Sequence, residues 1–85
     1  MKQFSYTITD PIGIHARPAG ILAKAVKEFS STVTLEKDGK SVSAAKLIAV
    51  MGMGIKCGDT LRITVEGEDE AEAAAAVEKF FQENL

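Results

Sequence analysis

The 85-residue sequence has few of the residue types that metal, redox and nucleic-acid sites require: one cysteine, one histidine, one tyrosine and no tryptophan. Cys57 has no second cysteine for an internal disulfide, and a metal site needs several cysteine, histidine or clustered carboxylate ligands. We therefore interpret Cys57 as a small apolar residue and expect neither a metal nor a cofactor. Nucleic acid also fits poorly, because the basic residues form no dense run and one tyrosine offers little base stacking.

Long apolar runs are also missing. No segment approaches the roughly 20 apolar residues that span a bilayer, and the N-terminus lacks the features of a secretory signal. Together with the single cysteine, this predicts a cytoplasmic protein that does not insert directly into a membrane. The length, the 46% hydrophobic content and the two prolines predict one globular domain over residues 1–85, which we expect to be monomeric.

The net charge of -2 hides an uneven distribution along the chain. Residues 1–65 carry 9 basic and 5 acidic side chains, whereas residues 66–85 carry 1 basic and 7 acidic side chains. The basic part contains the only histidine, His15. We therefore expect the region around His15 to attract anionic partners, an effect that salt weakens.

The pattern of apolar residues predicts four strands and three helices in the order β-α-β-β-α-β-α. Alternation of apolar and polar side chains predicts strands over residues 2–9, Thr32–Lys37, Lys40–Ser43 and Thr60–Glu66. Helical spacing and turn residues predict helices over residues 16–29 and 44–51, and a last helix with Glu68, Asp69 and Glu70 in its first turn. Because every strand alternates, we expect an α+β fold in which an antiparallel sheet has one face under the helices.

Residues 13–19, Gly-Ile-His-Ala-Arg-Pro-Ala, hold the main candidate site. Pro18 favours the first turn of a helix, which places His15 at the helix start, where free N–H groups attract anions. Arg17 offers two parallel donors to phosphate or carboxylate oxygens, and neutral imidazole has a nitrogen lone pair. A nucleophile beside an anion site predicts capture of a phosphoryl group. The alternative from the residues alone is an ordinary surface or capping histidine.

Two neighbouring stretches are candidates for docking a partner protein. The first helix shows Arg17, Lys24 and Lys27 on one side. Lys24 and Lys27 are either contacts for an acidic partner or ordinary solvated side chains. Ile21 is either a docking contact or a residue at the edge of the core. The short second helix is apolar on nearly every side. Some of its residues must therefore be exposed, unless a loop folds over them.

The segment 13–19 resembles the active-site motif of the HPr family, the histidine-containing phosphocarriers of the bacterial phosphoenolpyruvate:sugar phosphotransferase system. The similarity covers nearly the whole chain. It includes the hairpin Asp38-Gly39-Lys40, residues 47–54 with the ending Met53-Gly54-Ile55, and Glu66-Gly67-Glu68-Asp69-Glu70. The resemblance implies an open-faced β-sandwich, with a four-stranded antiparallel sheet and three helices on one face.

The resemblance also implies a function. The phosphorylated form of enzyme I would phosphorylate His15 on Nδ1, using phosphoenolpyruvate, and the group would pass to a sugar-specific enzyme IIA. The chain would then be a carrier and not an enzyme with its own turnover. Ala16, Arg17 and Pro18 would bind the phosphoryl group. Docking would use Gly20, Ile21, Lys24 and Lys27 on the first helix and Leu47, Ile48, Met51 and Gly52 on the second.

Position 46 differs from the residue found in part of the family. One alternative to the implied function also stays open. Many Gram-positive relatives have a regulatory serine where this chain has Lys46, which a serine kinase cannot modify. Placed in the first turn of a helix, Lys46 would also oppose the helix dipole. The alternative is a non-phosphorylated binding or regulatory module that uses the anion site or the apolar patch.

Overall fold

The computed structural model describes residues 1–85 and contains seven elements in the predicted order. They are β1 (Lys2–Thr7), α1 (Ala16–Val26), β2 (Thr32–Lys37), β3 (Lys40–Ser43), α2 (Leu47–Gly52), β4 (Thr60–Glu66) and α3 (Glu70–Asn84). None of the three helices combines the length and the apolar character that are needed to cross a membrane.

The four strands form one antiparallel sheet in the order β1-β4-β2-β3. Ile63 of the inner strand β4 stands opposite Phe4 of β1 and Leu35 of β2, so apolar residues line up in rows on one face. Side chains from all three helices join these rows in a single buried cluster of 17 residues. The predicted open-faced arrangement, with the helices on one face, is therefore confirmed.

The last helix is fixed to the sheet by an aromatic contact at its C-terminal end. Phe81 is fully buried, and its ring stacks on Tyr6 of β1 at 5.4 Å between centroids and meets Phe4 edge-on at 6.5 Å. Aromatic pairs at such distances add to the stabilisation that burial gives. The end of α3 is thereby held beside the strand that leads to His15.

Four predicted boundaries differ from the structure; one is the start of α3, which begins at Glu70, so that Glu68 and Asp69 precede its first turn. Strand β1 ends at Thr7 and not at residue 9, because the amides of Thr9 and Asp10 bond to the main-chain oxygen of Leu85. Helix α1 ends at Val26 and not at residue 29, because the next residues form short turns.

The remaining boundary is the start of the short helix. Helix α2 begins at Leu47 and not at residue 44, because the amide of Ala44 still bonds to Val33 of β2 at 2.8 Å. Lys46 is consequently the exposed N-cap residue of α2 and does not lie in its first turn.

Asp69 joins the start of α3 to the start of β2. Its carboxylate accepts hydrogen bonds from the amides of Ser30 and Ser31, both at 2.9 Å, and from the Ser31 hydroxyl. The hydroxyl of Ser31 and the amide of Ser30 lower the pKa of Asp69 below its ordinary value. Asp69 occupies the N-cap position of α3, but its side chain makes no bond to that helix. The sequence predicted a contribution to the helix N-terminus, whereas the side chain ties two distant segments together.

We expect Asp69→Asn to unfold at a lower urea concentration at neutral pH, because a charged acceptor makes stronger hydrogen bonds than an amide. The pKa of Asp69 is lowered in the folded chain. Its stabilisation is therefore present above the unfolded pKa of about 3.9 and is lost as the pH falls through the folded value.

The difference in urea midpoint between wild type and Asp69→Asn should accordingly shrink as the pH is lowered from about 5. Glu28→Gln is the matched control, because Glu28 is exposed and takes part in none of the ion pairs. A difference that stays constant from neutral to acid pH would contradict this role of the carboxylate.

Candidate functional site

His15 stands at the start of α1, as predicted. Its backbone is extended, with φ -127° and ψ -175°, and its carbonyl accepts the first bond of the helix from Ala19 at 3.0 Å. The imidazole makes no capping bond to the helix and is half-exposed. The N-terminus of α1 therefore has no side-chain cap, and its free amides can bind an anion close to the ring.

A shallow depression of about 240 Å³ adjoins the imidazole. Its lining residues are Asp10, His15, Arg17, Pro18, Ile21 and Asn84. The structure thus brings His15, Arg17 and Pro18 together, as the sequence predicted; Ala16, between them, is exposed. A larger depression of about 280 Å³ lies among Ser5, the β2–β3 hairpin and β4, and it contains no nucleophile comparable to imidazole.

Asp10 and Asn84 were not predicted to belong to this depression. They are 74 positions apart, and they meet because the amides of Thr9 and Asp10 bond to the main-chain oxygen of Leu85. Asn84 is oriented by a bond from its amide group to the carbonyl of Phe80 at 3.0 Å. No sequence pattern signals this contact, because it depends on the packing of α3.

The loop before His15 is held closely by its own bonds and by the opposite loop. The carboxylate of Asp10 accepts the amide of Ile12 at 2.8 Å, and the carbonyl of Asp10 accepts that of Gly13 at 2.9 Å. The amide of Ile14 donates to the carbonyl of Ile55 at 3.1 Å. Gly13 has φ +80°, and a Cβ on it would collide with the carbonyl oxygen of Ile55. Only glycine fits this close approach without strain.

The opposite loop is in turn fastened to the sheet by Lys37. The ammonium group of Lys37 lies 2.7 Å from the carboxylate of Asp59 and donates to the carbonyl of Gly54 at 3.1 Å. The same carboxylate accepts the amide of Lys56 at 2.8 Å. The bond from Lys37, followed by the bond from Lys56, lowers the pKa of Asp59 below its ordinary value. The position of His15 therefore depends on contacts that begin in strand β2.

The eight predicted docking residues lie on two neighbouring helices that contact each other, and we call them the α1–α2 surface. On α1, Ile21, Lys24 and Lys27 are exposed and Gly20 is half-buried; on α2, Ile48, Met51 and Gly52 are exposed and Leu47 is half-buried. Ile48 is 80% exposed, Ile21 46% and Met51 41%. No loop covers these apolar side chains, which removes one of the two alternatives for α2. The buried side of α2 is carried by Val50.

The basic side chains around this surface form no ion pairs within the chain. None of the three ion pairs in the structure includes Arg17, Lys24, Lys27 or Lys46. All four are exposed. Their positive charge is therefore available to an acidic surface from outside.

No group of three His, Cys, Asp or Glu side chains is placed to hold a metal ion. Cys57 is exposed, and its thiol lies 3.8 Å from the carbonyl oxygen of Thr9. Cys57, which the sequence analysis interpreted as a small apolar residue, is therefore at the surface and not in the core. It lies in the glycine-flanked turn before β4, which is at the surface, as turns generally are.

The family model described as "PTS HPr component phosphorylation site" matches residues 2–83. The chain belongs to the HPr family. This membership confirms the resemblance carried by residues 13–19. It makes the chain a member of a phosphocarrier family of the phosphotransferase system.

Individual HPr proteins are similar to this chain over most of their length. The chain is 40% identical to the phosphocarrier protein HPr of Mycoplasma genitalium over 85 residues, which cover 99% of this chain and 97% of the relative. It is 41% identical over 70 residues to the HPr of Treponema pallidum, covering 82% and 80% of the two chains. A crystal structure of an HPr from Thermoanaerobacter tengcongensis superposes with a TM-score of 0.91 at 34% identity, covering 96% of this chain and 92% of the other.

We expect Gly13→Ala to lower the free energy of unfolding by about 1–3 kcal/mol, because the added Cβ meets the Ile55 carbonyl and the backbone has a positive φ. Urea unfolding measures this difference. Gly20→Ala is the matched control, since its Cβ meets nothing within 4 Å and alanine favours a helix. Equal stability of the two variants would show that the contact between the loops is not tight.

Proposed function

We propose that this chain carries a phosphoryl group on Nδ1 of His15 in the sugar phosphotransferase system. The phosphorylated form of enzyme I, which is charged by phosphoenolpyruvate, donates the group, and a sugar-specific enzyme IIA accepts it for sugar uptake. The observation that carries the proposal is the placement of a half-exposed imidazole at the uncapped N-terminus of α1, with Arg17 lining the same depression. Family membership supports it independently.

The transfer step needs a nucleophile and a means to hold negative charge. The lone pair on Nδ1 attacks phosphorus, a nitrogen–phosphorus bond forms, and the bond from phosphorus to the donor breaks, with its electron pair leaving on the donor. Three phosphoryl oxygens then face the start of α1. The amides of Ala16 and Arg17 and the guanidinium of Arg17 stabilise them, because preorganised donors act best where charge is spread over such oxygens. Pro18 has no amide hydrogen to offer and contributes its fixed φ, which favours the first helical turn.

A carrier must release the group as readily as it accepts it. The α1–α2 surface fits this requirement, because it combines a small exposed apolar centre with unpaired positive charges around it. Such surfaces form small, fast and weak complexes. We infer that enzyme I and enzyme IIA use the surface in turn, that the chain acts as a monomer in the cytoplasm, and that it is a substrate of enzyme I without turnover of its own.

The competing function is a binding module that holds an anion at the tip of α1 without covalent transfer. The same uncapped helix N-terminus favours this alternative, since it attracts anions whether or not His15 reacts. The two functions differ in the covalent bond to His15. Mass measurement of the protein detects that bond directly.

We expect incubation with phosphoenolpyruvate and enzyme I from the same organism to add one phosphoryl group, seen by intact mass and lost in acid. His15→Ala should gain none. Arg17→Lys keeps the charge but loses the planar pair of donors, so its transfer rate should fall roughly 10- to 100-fold while its stability stays unchanged. Full phosphorylation of His15→Ala would place the acceptor elsewhere. No transfer, with a bound anion retained, would favour the binding module.

We expect Lys24→Glu to raise the KM of enzyme I for this chain by roughly threefold to tenfold, because it reverses a charge beside the docking centre. The kcat should change little, since Lys24 does not line the depression beside His15. Added salt should reduce the difference. Lys79→Glu on α3 is the matched control, because it makes the same charge change on an exposed residue outside the α1–α2 surface. An equal rise in KM for both variants would contradict a localised contact.

A further inference from the structure

Ile12 is a large apolar side chain that the fold leaves in solvent. It is 70% exposed, more than Ile21 or Met51 of the α1–α2 surface, and it is not part of the buried core. Single exposed apolar residues are common on protein surfaces. Ile12 differs in its position, because it lies in a turn between Pro11 and Gly13, where polar residues and glycine usually stand.

The backbone around Ile12 is fixed. Its own amide bonds to the carboxylate of Asp10 at 2.8 Å, and the next amide, of Gly13, bonds to the carbonyl of Asp10 at 2.9 Å. Gly13 packs directly on the main chain of Ile55 and Lys56. Little backbone freedom is lost when a partner covers a side chain on such a loop, so the gain from burying it is retained.

Ile12 also lies within the reach of any protein that contacts His15. Three residues of chain separate their Cα atoms by at most about 11 Å. An interface of standard size covers about 800 Å² on each partner, which extends farther than this from its centre. Through Gly13, the loop of Ile12 packs on residues 55 and 56, which follow α2 in the chain.

We propose that Ile12 is an apolar docking contact for the proteins that exchange a phosphoryl group with His15, outside the α1–α2 surface. The partner face that fits it is apolar at this point and acidic opposite Lys24 and Lys27. This inference rests on the proposed function. It adds a contact on the loop that carries the histidine itself, so that a docked partner is held on the helices and on the loop.

The test compares Ile12→Ser with wild type in phosphotransfer from enzyme I and, separately, in transfer to enzyme IIA. We expect the KM for the carrier to rise roughly tenfold, which corresponds to about 1.4 kcal/mol, with kcat unchanged. Ile12→Leu should recover most of the loss, because it restores the apolar area. Ala76→Ser on the exposed side of α3 controls for an apolar-to-serine change elsewhere. Thermal unfolding should show no loss of stability in Ile12→Ser, since the side chain is mostly in solvent.

A rise in KM with either partner supports the contact and shows which partner makes it. A KM within twofold of wild type with both partners overturns the inference and leaves the proposed function standing. Should wild type accept no phosphoryl group, the proposed function fails, and calorimetric titration of enzyme I into wild type and Ile12→Ser still decides the role of Ile12. Equal affinity in that titration overturns it.

Discussion

The close approach of two loops fixes the place of the His15 imidazole. Gly13 has no side chain, so its backbone can lie against the carbonyl of Ile55, and the adjacent amide of Ile14 completes the contact with a hydrogen bond. His15 follows directly and starts α1. A side chain at position 13 would push the loops apart and change where the ring stands relative to the helix start. The chemistry proposed for His15 therefore depends on the absence of a Cβ at Gly13, two residues earlier.

The contact between the loops is itself supported from the sheet. Lys37 at the end of β2 binds Asp59 and Gly54, and the main-chain bonds between Ile8 and residues 58 and 59 tie the strand before the active loop to the same segment. None of these bonds involves a residue of the α1–α2 surface. The residues that hold the two loops together are thus distinct from the proposed docking residues, whose lysines form no ion pairs within the chain.

Much of this arrangement is predictable from the sequence because it depends on local patterns. Alternation predicted β2, β3 and β4 with their observed bounds, and Pro18 marked the start of α1. The predicted start of α2 at residue 44 was wrong. A hydrogen bond from the amide of Ala44 to Val33 of β2, eleven residues earlier, outweighs the helix propensity of Ala44 and Ala45. Local propensity contains no information about such a partner.

The residues whose contacts the sequence did not predict also depend on partners that are distant in the chain. Asn84 reaches the depression only because Phe81 anchors the end of α3 beside β1. Asp69 looked like a helix-terminal carboxylate, yet its partners are the serines that follow α1. The exposure of Ile12 follows from the turn in which it lies, and the turn was recognised as a loop without a role for its apolar residue. For Asn84 and Asp69, a contact between distant segments decides which groups the side chain meets.

The two helices that flank the depression present opposite termini to it, the N-terminus of α1 and the C-terminus of α3. Helix α1 leads away from His15 toward Ser30 and Ser31, where Asp69 marks the start of α3, and α3 returns to the depression at Asn84. Glu70 and Glu72 lie in the first turn of α3, at the opposite end of that helix from the depression. The 15 residues of α3 span about 22 Å, so this acidic turn is separated from the ring by more than the Debye length of about 8–10 Å, and solvent ions screen its repulsion of an anion that arrives at His15.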